Sequence, residues 1–99
     1  MYLTVGHFKF KAEGSAKAVE LMNNMQTLGR TEPGIQQYSF YPNPDVEQGY
    51  FLFEEWDSKE LHDTHFNKDE MQNWLPEFFE LLAEPPSVSY FDATLSSKL

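Results

Sequence analysis

The order of periodic segments predicts a single α+β domain built β-α-β-β-α-β, an antiparallel sheet with its helices on one face. Four segments alternate with the period of two proper to strands, and the regions between them repeat apolar residues three and four apart, as helices do. The strand positions on both faces of the sheet are apolar or aromatic: Leu3, Val5, Leu52 and Trp56 against Phe8, Phe10, Phe51 and Phe53. A half-solvated sheet shows one polar face. Two apolar faces predict that a second copy of the chain covers the face left open by the helices.

Tyr2 to Lys11 reads as the first strand, with Leu3, Val5 and His7 on one face and Thr4, Gly6, Phe8 and Phe10 on the other. Gly14-Ser15 breaks it, and Ser15 is placed to cap a helix over Ala16 to Leu28. Ala18, Leu21, Met22, Met25 and Leu28 form that helix's apolar face, and Gly29 suits a left-handed end. After the turn Glu32-Pro33-Gly34, Ile35 to Tyr41 is a second strand. Proline keeps the loop Pro42-Asn43-Pro44-Asp45 out of it. Gly49 to Trp56 is the third, joined to the second as a hairpin. Asp57 and Glu60 have capping-box spacing for a short helix through Leu61 to about Phe66. Asn67 and Glu70 repeat the spacing for another, with Met71, Trp74, Leu75, Phe78, Phe79 and Leu82 on its apolar side. Pro76 is a site for a kink, and Pro85-Pro86 a stop. Val88 to Leu95 is the last strand, which gives a domain over residues 1–95 and a tail over 96–99.

A chain of 99 residues holds one domain. It buries only about two-thirds of its unfolded surface, so a partner subunit adds stability. Sixteen acidic residues against seven basic ones, a net charge of −9, repel phosphate backbones and anionic lipids. Nucleic acid and membrane surfaces are therefore not expected partners. Cysteine is absent, which removes disulfides, zinc thiolates and thiol nucleophiles. No apolar run approaches the ~20 residues of a membrane span, and the first residues lack the layout of a signal peptide, so a cytoplasmic location is expected.

Three histidines bear on chemistry. His7 lies mid-strand, and His65 shares a helix face with Leu61 four residues earlier; both are expected in the interior, and His62 in solvent. Buried histidines serve either as hydrogen-bonded structure or as proton-transfer groups. Glu54, on one strand face with Leu52 and Trp56, either pairs with a donor or stands as a carboxyl of raised pKa. Two imidazoles and Glu54 are a thin donor set, so no metal is expected. No phosphate loop, nucleophile elbow or zinc motif is present.

The segments Glu32-Pro33-Gly34 to Tyr38, Phe51-Leu52-Phe53-Glu54-Glu55-Trp56, Leu61 to His65 and Leu82-Ala83-Glu84-Pro85-Pro86 together resemble the antibiotic biosynthesis monooxygenase domain over nearly the whole chain. The resemblance implies a ferredoxin-like topology assembled as a dimeric α+β barrel. The family includes cofactor-independent oxygenases of quinols and polyphenols, haem-degrading enzymes and an isomerase of a small phosphorylated sugar, so it implies the fold more strongly than the reaction. Pro33, Gly34, Tyr38, Glu54, Trp56 and His65 match common family positions. In the haem-degrading branch His7 matches a catalytic Asn and His65 a pocket Trp. That branch's iron ligand falls near Leu75, which cannot bind haem.

The resulting expectation is a cofactor-free monooxygenase-like enzyme, a homodimer acting on a small hydroxylated aromatic or quinol. His65 would be the base or shuttle and His7 the orienting group. Tyr38, Glu54, Trp56 and Trp74 would line the substrate. The alternatives are an isomerase or other proton-transfer enzyme on a small carbonyl compound, and a non-catalytic ligand-binding dimer.

Overall fold

The computed structural model describes residues 1–99. Its elements are β1 (Tyr2–Lys9), a single 3₁₀ turn (Ala12–Gly14), α1 (Ser15–Gly29), β2 (Ile35–Pro42), β3 (Gly49–Trp56), α2 (Lys59–Phe66), α3 (Asp69–Glu80) and β4 (Ser87–Asp92). The chain is thus α+β, with one four-stranded antiparallel sheet in the order β2-β3-β1-β4. No helix is long and apolar enough to cross a membrane.

Alternation decides what the helices cover. Tyr2, Thr4 and Phe8 of β1, Leu52, Glu54 and Trp56 of β3 and Tyr38 of β2 are buried beneath them. Ala18, Leu21, Met22 and Met25 of α1 and Met71 and Phe78 of α3 supply the other half of the core. Phe78 meets Phe10 and Phe8 edge-on, with ring centroids 5.2 and 5.3 Å apart. Rings packed this way gain about 0.5–1.5 kcal/mol beyond the area they bury, which pins α3 to the sheet.

Local chemistry departs from expectation at the element ends. Ser15 is the first residue of α1, not its cap, because the 3₁₀ turn feeds directly into the helix. Gly29 ends α1 without a left-handed residue; Arg30 caps it at φ −68°. Gly29 is instead required by space, since a Cβ there would sit 2.5 Å from the Tyr38 ring. Ser58 rather than Asp57 caps α2, accepting from the Leu61 N–H at 3.3 Å, while Asp57 accepts from Gln36. Asn67 does not open α3: its side-chain amide donates to the Asp63 carbonyl and closes α2. Pro76 lies within α3, which continues to Glu80. Pro42 ends β2, tolerated because β2 is an edge strand that needs no donor on its outer side. β4 stops at Asp92 rather than Leu95, where its one neighbour, β1, pairs back only as far as Tyr2.

Gly34 carries the tightest local constraint. Its φ of +81° is left-handed, and a Cβ there would collide with the Leu61 side chain of α2. Replacing Gly34 with Ala is expected to cost about 2 kcal/mol and to lower the melting temperature by roughly 10 °C, as read by circular dichroism.

Candidate functional site

The strand register places an oxygen-bearing side chain on every strand in one line across the inner face. Tyr38 pairs with Glu54, Glu54 with Thr4, and Thr4 with Tyr90. In an antiparallel ladder, directly opposed residues share a face, and neighbouring strands lie about 4.8 Å apart. A polar stripe therefore crosses a surface that is otherwise ring and methyl. Thr4, Tyr38 and Glu54 are buried, while Tyr90, on the edge strand, is 46% exposed.

Two proton-handling systems meet this stripe. In the first, His65 of α2 is hydrogen-bonded through Nδ1 to Glu32 Oε1, and Lys68 Nζ holds Glu32 Oε2 at 3.0 Å. The carboxylate takes the Nδ1 proton as its donor, which leaves Nε2 as the acceptor. Nε2 faces the Tyr38 hydroxyl at 3.3 Å, so Tyr38 donates to it. Burial lowers the His65 pKa, against the opposing pull of Glu32. Burial, and then the charges of Glu54 and Glu32, holds the Tyr38 phenol well above its ordinary value. At neutral pH the chain Lys68–Glu32–His65–Tyr38 thus carries a neutral imidazole and an intact phenol.

In the second, Glu54 accepts a 2.8 Å hydrogen bond at Oε1 from the Trp56 indole N–H. Burial pushes its pKa up to about 7; the indole donor lowers it and the charge of Glu32 raises it. Glu54 therefore exchanges its proton near neutral pH. The partners of the two carboxyl groups differ: Glu32 has a cation and an imidazole beside it, whereas Glu54 has one neutral donor.

Between these groups and the helices is a cavity of about 70 Å³. Its floor includes Thr4, Tyr38, Leu52 and Glu54, its roof His62, His65, Met71 and Phe78, and Phe66, Phe79, Val88 and Tyr90 stand at the more open side. The space is smaller than the roughly 150 Å³ that accepts benzene, so a ring enters only if side chains such as the half-exposed Phe79 move outward. No group of three or more His, Asp or Glu residues is arranged to hold a metal ion.

Of the residues singled out from sequence, Tyr38, Glu54 and His65 come together at this cavity. His7 does not. It is exposed on the outer face, edge-on to Phe51 at 4.7 Å, because inner positions of β1 fall on even-numbered residues; His7 and His65 share no cavity. Trp56 is wholly buried and supports Glu54 rather than lining the space. Trp74 sits on another side of α3, against Leu28 and Thr31 of the α1 end. His62, expected in solvent, is buried and lines the cavity: three residues from His65, it shares the sheet-facing stripe of α2. Glu32, Lys68, Thr4 and Tyr90 had no local signal. Only the register and the placement of the Glu32-Pro33-Gly34 turn bring them to the site.

Because the folded-state pKa of Glu54 lies above its ordinary 4.5, its contribution to stability is full below pH 4.5 and is lost as pH rises to about 7. Glu54→Gln keeps an acceptor for Trp56 and removes the charge. At pH 8 the variant is expected to be more stable than the parent by about 3 kcal/mol, with no gain at pH 4, in urea melts at both pH values.

Comparison with known proteins agrees with this architecture. A protein of Deinococcus radiodurans, named as a candidate antibiotic biosynthesis monooxygenase, superposes with a TM-score of 0.90 at 17% identity, over 100% of this chain and 98% of its own. A protein of Mycobacterium tuberculosis superposes at 0.88 and 23% identity, over 98% of both chains. At these identities the likeness is one of fold. An uncharacterised protein of Synechocystis sp. is 25% identical over 89 residues, which cover 90% of this chain. The matched region spans 60% of that relative's length. The sequence profile of the antibiotic biosynthesis monooxygenase family matches residues 1–77, so the chain belongs to that family.

Proposed function

We propose that this protein is a cofactor-independent monooxygenase of a small hydroxylated aromatic or quinol. The observation that carries the reading is a buried carboxyl, Glu54, its pKa pushed up to about 7, at the floor of a largely apolar cavity beside the Glu32–His65–Tyr38 chain. In the proposed reaction Glu54 takes the phenolic proton, and the electron-rich anion reacts with dioxygen in a space that excludes bulk water. One oxygen atom remains on a ring carbon as a carbonyl. The other leaves as water with two hydrogens, the one that ring carbon gives up and the phenolic proton that Glu54 took. His65, expected from sequence as the base, acts here through Tyr38: by accepting from its hydroxyl at Nε2 it holds the Tyr38 oxygen in place at the cavity wall. His7 has no part at this cavity.

The second reading is proton transfer on a small carbonyl compound, or binding without turnover. The cavity volume of about 70 Å³ favours it, as do the hydrogen bonds that engage both nitrogens of His65. Oxygen dependence separates the two.

We also propose that the protein works as a homodimer packed through the outer sheet face. Leu3, Val5, Phe51 and Phe53 lie there only partly buried, and Tyr41 and Phe91 are each 50% exposed. Sedimentation at micromolar protein is expected to show a dimer; a stable folded monomer would overturn this.

Oxygen uptake with a panel of hydroxylated aromatics tests the reaction. The wild-type rate should rise with pH as one ionisation near 7, since Glu54 must lose its proton to act. Glu54→Gln and His65→Ala should each lower turnover by about 10²-fold or more, and His7→Ala by little. Absence of uptake across the panel would discard the monooxygenase reading in favour of the second.

A further inference from the structure

Thr4 holds the one buried side-chain polar atom without a hydrogen-bond partner, Oγ1, and the residue is 2% exposed. Burying a hydroxyl unpaired costs stability, and valine would fill nearly the same space without that cost. A threonine here is therefore unexplained by packing. It lies on the cavity floor, on the central strand β1, directly opposite Glu54. Glu54 offers the complementary group: Oε1 accepts from Trp56, and the other carboxylate oxygen makes no hydrogen bond within the protein and is not fully enclosed. Thr4 and Glu54 do not bond each other, although cross-strand neighbours have Cβ atoms only about 5 Å apart. A buried donor without a partner and a carboxylate oxygen free of protein partners thus stand on neighbouring strands, ringed by Phe40, Leu52, Leu75 and Phe78.

We propose that Thr4 and Glu54 together seat two oxygens on adjacent carbons of the substrate, a catechol or the equivalent ortho-hydroxy ketone rather than a monophenol or a para-quinol. Glu54 accepts from the hydroxyl that loses its proton, and Thr4 donates to the oxygen beside it. Para oxygens point to opposite ends of a ring and cannot reach neighbouring strand positions together. Thr4 is a specificity-determining residue in this arrangement. The inference rests on the reading of Glu54 as the base, but its test uses binding rather than turnover.

Catechol, phenol and hydroquinone are titrated calorimetrically without oxygen at pH 8 into the wild type, Thr4→Val and Thr4→Ser. The wild type should bind catechol about tenfold more tightly than phenol or hydroquinone, the scale of one added hydrogen bond in a dry site. Thr4→Val should bind catechol no better than phenol, leave phenol binding unchanged and melt no lower than the wild type. Thr4→Ser keeps the hydroxyl and should retain the catechol preference. A wild type without that preference, or Thr4→Val binding catechol like the wild type, overturns the proposal. A lower melting temperature of Thr4→Val with unchanged catechol affinity would also overturn it, by making the hydroxyl a seat for structural water. Intact catechol preference without oxygen uptake would leave this seat standing and remove only the monooxygenase reading.

Discussion

Everything at the site follows from one constraint, a carboxyl group buried on the inner face of a central strand. Glu54 lies between β1 and β2, so no solvent reaches it from the side, and the helices close it from above. Taking a carboxylate out of water is costly unless charge or hydrogen bonds replace the water. The protein supplies a single neutral donor, the Trp56 indole. The remaining penalty appears as a pKa raised to about 7, which leaves the group ready to exchange a proton at neutral pH.

The second carboxyl has different surroundings. Glu32 is 7% exposed, nearly as buried as Glu54, yet it is held by Lys68 on one oxygen and His65 on the other. The pairing fixes the His65 tautomer and turns its free nitrogen toward Tyr38. The bare helix end at Gly29 lets the Tyr38 ring lie close enough to join the chain. Two acids of the same type thus take two roles, one orienting His65 and one standing as an exchangeable proton site.

Strand alternation placed Glu54 with Leu52 and Trp56, and helical spacing placed His65 with Leu61 toward the core; both follow from periods that any strand or helix imposes. The same alternation grouped His7 correctly with Leu3 and Val5 but could not say which face the helices cover, and that face is the other one. Trp74 and His62 were misplaced for a related reason. An apolar stripe on a helix is wide, and which flank meets the sheet depends on the crossing geometry.

The sequence by itself determined the element order, the antiparallel sheet, the alternation within each strand, and the residue types able to exchange protons. These depend on neighbours close along the chain, where the period of two or 3.6 dictates who shares a face. Only the tertiary structure decided which residues meet. Thr4, Tyr38, Glu54 and Tyr90 are separated by long stretches of chain and brought into line by strand register. Glu32 reaches His65 across 33 residues because the turn at Gly34 packs under α2. Register and packing are settled by the sum of many weak long-range contacts, and no local pattern records that sum.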